Sequence, residues 1–338
     1  MRTPNMSTEN SKINNNGHKS GHKSEIIGID VGGANLKICT GDAVEIHYCP
    51  MWKDSPLTEL LKPYAGRKAA VVMSGELADG FSDKDEGIAF IVNAVKEAIP
   101  NSKFYGMDGR FHDKPTHLLA AANWLASVDF LKDRYPNAVL VDFGSTTCDI
   151  IPLNCFESLK GMTDLDRLRK GYLVYTGTLR STIPSLLRKV LVNGYDTFVS
   201  SEYFAQSADA HYVLGNITSD DYSVPTADGA DKSYAASLQR LSRVVCSDLS
   251  EITENGAKEI AAAFVKEQTD LILGEVSRIM KDTDSKSVIA AGIGSHILTK
   301  LFAGENIPCI DLNVEAGIFA DALPAHAVME VAKRTDIF

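Results

Sequence analysis

The chain has no cysteine pair spaced C-x-x-C, no apolar run long enough to cross a membrane and no stretch rich in lysine or arginine. Each absence narrows what the protein can be. The six cysteines, Cys39, Cys49, Cys148, Cys155, Cys246 and Cys309, lie far apart. That pattern suits reduced thiols in a cytosol, as small core residues or surface thiols, better than a disulfide framework or a zinc site. No apolar stretch reaches the roughly 18 residues of a membrane span, and the start of the chain lacks the apolar segment of a signal peptide. A soluble, cytoplasmic protein is therefore expected. The formal net charge is -10 with no basic run, which argues against nucleic acid or an anionic membrane as partner, because both attract basic surfaces. Any phosphate handling must be local.

What is present points to two domains. At 338 residues with 44% apolar residues, the chain can bury more than one core. Residues 1–24 carry Asn14-Asn15-Asn16 and a tandem Gly-His-Lys-Ser at 17–20 and 21–24, with almost nothing to bury, so a disordered tail is expected there. The folded part opens with Ile26-Ile27-Gly28-Ile29-Asp30-Val31-Gly32-Gly33-Ala34-Asn35-Leu36-Lys37-Ile38, a strand, a glycine turn and a second strand. The same order of parts returns in Ala138-Val139-Leu140-Val141-Asp142-Phe143-Gly144-Ser145-Thr146-Thr147-Cys148-Asp149-Ile150. Both segments spell D-x-G-x-x-x-x-x-I.

A repeat of this kind suggests two lobes, each opening with a β-hairpin whose turn can donate backbone N–H groups to an anion. The turn residues Gly32, Gly33 and Asn35 in the first, and Gly144, Ser145, Thr146 and Thr147 in the second, are the candidate phosphate contacts. Asp30 and Asp142 are the candidate ligands of a Mg²⁺, which takes one or two carboxylates together with phosphate oxygens and water. Either loop alone reads as an ordinary Asp-containing turn; the matched pair favours a site. A dinucleotide or P-loop motif would need a helix after the loop, and Leu36-Lys37-Ile38 and Cys148-Asp149-Ile150 read as strands.

Elsewhere, 69–73 reads as a buried strand, 86–98 and 117–126 as helices, and 171–175 as a strand leading into the hydroxyl-rich loop Thr176-Gly177-Thr178-Leu179-Arg180-Ser181-Thr182. Ile260, Phe264, Leu271, Val276 and Ile279 mark a long amphipathic helix over 257–281. Ala290-Ala291-Gly292-Ile293-Gly294 forms a glycine turn before a helix start, either a third phosphate or nucleotide contact through Gly292 and Gly294 or a common β–α turn. The acidic segment 220–232 reads as a solvated loop. The expected division is a tail at 1–24, an N-terminal lobe at 25–135, a C-terminal lobe at 136–314 and a last helix at 315–338 returning towards the first lobe.

The two D-x-G loops and the Ala290–Gly294 turn together resemble the phosphate and adenosine motifs of the ASKHA superfamily. That resemblance implies a two-lobed α/β fold of the actin/Hsp70/hexokinase, ribonuclease H-like kind with a central phosphate-binding cleft. Asp142 to Pro152 and Tyr175 to Thr178 are similar to its hydantoinase/oxoprolinase branch, with Cys148 where threonine is expected. More narrowly, Ser74 to Asp79, Ala122 to Ala126, Tyr175 to Thr182, Glu202 to Ala205 with Ala208-Asp209, and Thr226 to Gly229 resemble the methanofuran-biosynthesis condensing enzymes.

That resemblance implies a transferase joining a furan-methyl diphosphate to the phenol of γ-glutamyltyramine, with small-molecule substrates and no ATP requirement. A homo-oligomer is compatible with it. A phenol, with a pKa of about 10 when unperturbed, is helped by a carboxylate base, for which Glu76 and Asp209 are the candidates. The alternative for each is a surface carboxylate. Arg180, with Thr176 and Gly177, is a candidate contact to diphosphate or to the glutamyl carboxylate, or else a surface ion pair. Trp124 and Asn123 pack or cap a helix. Two other functions share the same motifs: an ATP-dependent kinase or hydantoinase-like enzyme, and a non-catalytic nucleotide switch of the actin/Hsp70 kind.

Overall fold

The computed structural model describes residues 25–338, and the expected tail lies outside them. The chain divides into two compact units. The first runs to Pro136 and adds Leu153–Asp164 and Ala316–Phe338; the second comprises Asn137–Pro152 and Leu165–Glu315.

The first unit holds a six-stranded sheet built from β1 (Ile26–Val31), β2 (Asn35–Cys39), β3 (Val44–Tyr48), β4 (Lys68–Met73), β5 (Ser102–Tyr105) and β6 (Phe111–His112), in the order β3-β2-β1-β4-β5-β6. β1 to β3 form an antiparallel meander, whereas β4 and β5 run parallel to β1 and to each other. Residues alternate across a strand, so Ile27, Ile29 and Val31 enter a core with Val71, Ile88, Ile91 and Phe104. The opposite face of β1 is covered by the Leu323–Thr335 helix. That covering fixes a glycine, since a Cβ on Gly28 would lie 1.8 Å from the Ala325 carbonyl oxygen.

The second unit repeats the plan. β7 (Ala138–Phe143), β8 (Cys148–Pro152) and β9 (Leu173–Val174) form the meander, and β12 (Ser287–Ala291) and β13 (Cys309–Asp311) the parallel wing, in the order β13-β12-β7-β8-β9. Numbered within its own unit, the second sheet reads 3-2-1-4-5, and the first reads the same with β6 added at the edge. This is the ribonuclease H-like topology of the ASKHA fold, present twice. A separate hairpin, β10 (Lys189–Val192) with β11 (Tyr195–Phe198), rests on a further core of Ile183, Val190, Val192, Leu241, Ile260 and Phe264.

Several local readings change. The helix expected over 117–126 is a short 3-10 turn, His117–Leu119, then a separate helix, Asn123–Leu131, because Ala121 between them takes φ +48°. The long helix spans Leu249–Thr283, capped by the Asp248 carboxylate on the N–H groups of Ser250 and Glu251 and kinked at Thr253. Ile272 occupies its apolar face where Leu271 was expected; Leu271 is exposed. The strand expected over 171–175 shortens to Leu173–Val174. The segment 220–232 is irregular but tied down, with Asp228 paired to Arg240 and Arg243 and Pro225 held by Gln206. Among the described residues, Cys39, Cys49 and Cys148 are buried, Cys246 is exposed, and no helix is long and apolar enough to cross a membrane.

Candidate functional site

Each hairpin turn closes in the same way. The Gly32 N–H donates to the Asn35 carbonyl at 3.0 Å, and the Gly144 N–H donates to the Thr147 carbonyl at 2.9 Å. Asp30 faces Lys37 across its ladder and Asp142 faces Asp149, the same register in both repeats.

In the first unit the loop is backed by main chain. The N–H groups of Cys49 and Met51 donate to the carbonyls of Ala34 and Gly33, and those of Ser74 and Gly75 to Val31. A Cβ on Gly75 would sit 2.7 Å from the Gly32 carbonyl oxygen, so only glycine lets these two loops touch. The next residue is Glu76. It is 2% exposed, and among the described residues its Oε2 has no hydrogen-bond partner. Burial raises its pKa, partly offset by its own N–H and that of Ala121. Asp30 is 6% exposed, with a buried Oδ1 that lacks a hydrogen-bond partner among the described residues. Burial pushes its pKa up to about 6 against the pull of Lys37. One unit thus places two buried carboxylates at the carboxyl ends of adjacent parallel strands, where open α/β sheets bind ligands.

In the second unit the loop is held by a second loop. Thr178 donates through its N–H and its hydroxyl to the Gly144 carbonyl, both at 3.0 Å, and the N–H groups of Leu179 and Arg180 donate to the Ser145 carbonyl at 3.0 Å. Gly177 lies against the Ser145–Thr146 peptide, with its Cβ position 2.4 Å from the Thr146 nitrogen. The Arg180 side chain is exposed and makes no ion pair among the described residues. The Gly292–Gly294 turn packs on the same loop. Gly292, at φ +80°, would carry a Cβ 2.4 Å from Asp142 Oδ1, and the Gly294 N–H donates to the Phe143 carbonyl at 2.9 Å. Asn313 donates to the Gly292 carbonyl at 3.2 Å, and its own Oδ1 is buried without a hydrogen-bond partner.

Asp209, expected as a candidate base, has a different part. It is fully buried, its Oδ1 accepts from Arg240 and from the Tyr222 hydroxyl, and its Oδ2 accepts from the Gln206 N–H in a capping box at the start of the Ser207–Val213 helix. A carboxylate held on all sides by donors is poorly placed to take a proton from a substrate. Of the two candidate bases, Glu76 alone keeps an unpaired oxygen. Trp124 is buried in its helix.

Hydrogen-bonded partners missed in the sequence stand behind the second loop. Gln268 donates to the Thr176 hydroxyl at 2.7 Å and to the Gly177 carbonyl at 2.9 Å, and it meets His211 at 2.8 Å. A signal was there. Gln268 is the one polar residue in the i+4 row Ile260, Phe264, Gln268, Ile272, Val276, a face otherwise apolar.

The hydantoinase/oxoprolinase family model matches residues 67–331. The chain is also 40% identical over 92% of its length to a (4-{4-[2-(gamma-L-glutamylamino)ethyl]phenoxymethyl}furan-2-yl)methanamine synthase of Methanocaldococcus jannaschii, covering 98% of that protein. The chain belongs to the hydantoinase/oxoprolinase family. A synthase of the same name from Methanococcus vannielii is 41% identical over 48% of this chain and 73% of its own. Among solved structures, a ROK family glucokinase from Streptomyces griseus aligns at TM-score 0.43 and 12% identity, over 91% of this chain and 99% of its own. Component A of an Acidaminococcus fermentans (R)-2-hydroxyglutaryl-CoA dehydratase aligns at TM-score 0.41 and 12% identity, over 92% and 98%. The fold assignment of this family member rests on its own doubled 3-2-1-4-5 sheet.

Proposed function

We propose that this hydantoinase/oxoprolinase-family chain is a transferase that condenses [5-(aminomethyl)furan-3-yl]methyl diphosphate with γ-glutamyltyramine to an aryl ether and releases diphosphate. The observation that carries this reading is the 40% identity to a synthase named for that ether, over 98% of its length. The family match is broad; the full-length match narrows the chemistry.

In the reaction the phenol oxygen forms a bond to the furan methylene while the methylene–oxygen bond to diphosphate breaks, its electron pair leaving with the diphosphate. The electron-rich furan stabilises positive charge at the methylene, so the protein's main task is to receive the charge growing on the leaving group. Backbone N–H groups of the Gly144–Thr147 loop, with Arg180 of the same unit, are donors for it, and the Gly32–Asn35 loop offers the same kind of groups in its own unit. Fixed donors of this kind usually supply the largest part of such catalysis. Glu76 accepts the phenol proton. A buried carboxylate with one unpaired oxygen and a raised pKa is a stronger base than an exposed one.

The partnerless Oδ1 of Asp30 fits a hard cation. Among the described residues no three His, Cys, Asp or Glu side chains cluster to hold one. Asp30 and Asp142 are each proposed as a ligand of Mg²⁺, which when bound would neutralise diphosphate charge. No ATP is required, because the furan substrate carries its own leaving group.

Incubating the purified protein with both substrates, in Mg²⁺ and in EDTA, tests the reading by product mass. Expected is the ether with Mg²⁺ and little without it. Absence of the ether under all conditions, with the protein folded, overturns the assignment.

A further inference from the structure

The mechanism leaves unused a group of buried polar side chains in the second unit. Gln268 and His211 are fully buried and Thr176 nearly so. They lie on three elements: the long helix, the Ser207–Val213 helix and the loop after β9. Such a group is costly unless every donor and acceptor is matched, and here they match in only one direction. The Gln268 amide nitrogen donates to the Thr176 hydroxyl and the Gly177 carbonyl, so its oxygen must accept. His211 therefore carries its proton on Nε2, 2.8 Å from that oxygen, and its Nδ1 accepts from the Asn216 amide at 3.2 Å. Thr176, having accepted from Gln268, turns its own proton to Ser181 Oγ at 3.0 Å, which also accepts from the Gly177 N–H at 2.8 Å. At the far end His296 Nε2 donates to the Asn216 carbonyl, from the helix that follows the Gly292–Gly294 turn.

The near end of the chain bears on the site. Thr176 and Gly177 open the loop whose next three residues hold the carbonyls of Gly144 and Ser145. In a trans peptide the C=O and the following N–H point opposite ways. Drawing the Gly144 and Ser145 carbonyls towards the Thr178–Arg180 segment aims the N–H groups of Ser145 and Thr146 away from it. We propose that Gln268, oriented by His211, is a positioning residue that sets the N–H face of the Gly144–Thr147 loop for a phosphate or diphosphate. This rests on the diphosphate reading of that loop.

The test uses the full chain and inorganic pyrophosphate in Mg²⁺ buffer, by calorimetry and by the amide resonances of Ser145 and Thr146. Gln268→Glu keeps the shape and still accepts from His211 and Thr176, but it cannot donate to the Gly177 carbonyl. Expected are pyrophosphate binding at least about tenfold weaker, loss of the pyrophosphate-induced shifts at Ser145 and Thr146, and a raised KM for the diphosphate substrate with the KM for the phenol unchanged. Thr176→Val, nearly isosteric, should reproduce the loss, and Thr176→Ser should restore binding; these two decide the matter if Gln268→Glu fails to fold. Folded Gln268→Glu and Thr176→Val proteins that bind pyrophosphate like the wild type overturn the positioning role alone. A wild-type protein that does not bind pyrophosphate overturns the diphosphate reading, and the proposal with it.

Discussion

The two Asp loops have the same hairpin register and the same closing hydrogen bond, yet they are built differently behind. The first is backed by main chain alone and keeps two buried carboxylates, Asp30 and Glu76, each with an oxygen that has no hydrogen-bond partner. The second is held by the N–H groups of Thr178, Leu179 and Arg180 and by the Thr178 hydroxyl, with the Gln268 side chain behind that segment through Thr176 and Gly177, and its Asp142 lies under the Gly292 turn. The difference lies in what stands behind an equivalent turn: two buried carboxylates in the first repeat, a chain of hydrogen-bonded polar side chains in the second.

Removing the charge of the matched aspartates should have the largest effect. Asp30→Asn and Asp142→Asn are each expected to lower the condensation rate by about a hundredfold or more while leaving the fold intact, the scale of removing one key electrostatic contact. Steady-state rates at saturating Mg²⁺ check this, and rates within a few-fold of wild type for both variants would sink the paired-loop account. Glu76→Gln should cost on the order of a hundredfold, the low end for a general base. The sign of its pH dependence follows from the raised pKa. A base must be ionised, so wild-type activity falls as pH drops through a value above the ordinary carboxylate range, and the Gln variant should lack that acid limb.

Asp209 sharpens the contrast, because its environment is structural. Asp209→Asn leaves the buried Arg240 with Asp228 as its remaining charge partner and should destabilise the protein by about 3 kcal/mol, the low end for breaking a buried pair, measured by urea unfolding. The fraction that remains folded should turn over at close to the wild-type rate. A stable variant with abolished turnover would return Asp209 to the list of bases.

His211 gives a test by pH alone. Burial lowers its pKa from 6.5 to about 4, so the unfolded chain binds the extra proton first as pH falls. Its contribution is intact above pH 6.5 and is lost as pH drops from 6.5 to about 4, up to about 3 kcal/mol. His211→Gln should flatten unfolding free energy against pH in that window; an unchanged slope would show that the imidazole is not held neutral.

The smallest effect is expected from deleting residues 1–24, whose composition offers little to offset ordering entropy. Turnover should not change. A truncated protein that folds but loses activity would show that the segment contributes to the site.

The doubled hairpin was legible because a turn motif is local: spacing alone sets Asp, Gly and the next strand in register. What lay between units of sequence was not. Asp209 looks like any acidic residue until Arg240, thirty-one positions on, is folded against it. The break at Ala121 is invisible to helical periodicity, since the contact of its N–H with Glu76 belongs to the tertiary structure. Gln268 was visible as a polar interruption of an apolar stripe, but its direction of donation depends on His211 and Thr176.

The central claim is that a phosphate-gripping fold works here on a substrate's own diphosphate. Counting diphosphate released per aryl ether formed, with ATP absent and then added, tests it most directly. The account predicts one diphosphate per ether and no dependence on ATP, with ATP at most competing against the diphosphate substrate. Ether formation that requires ATP, with stoichiometric release of ADP or AMP, would contradict it.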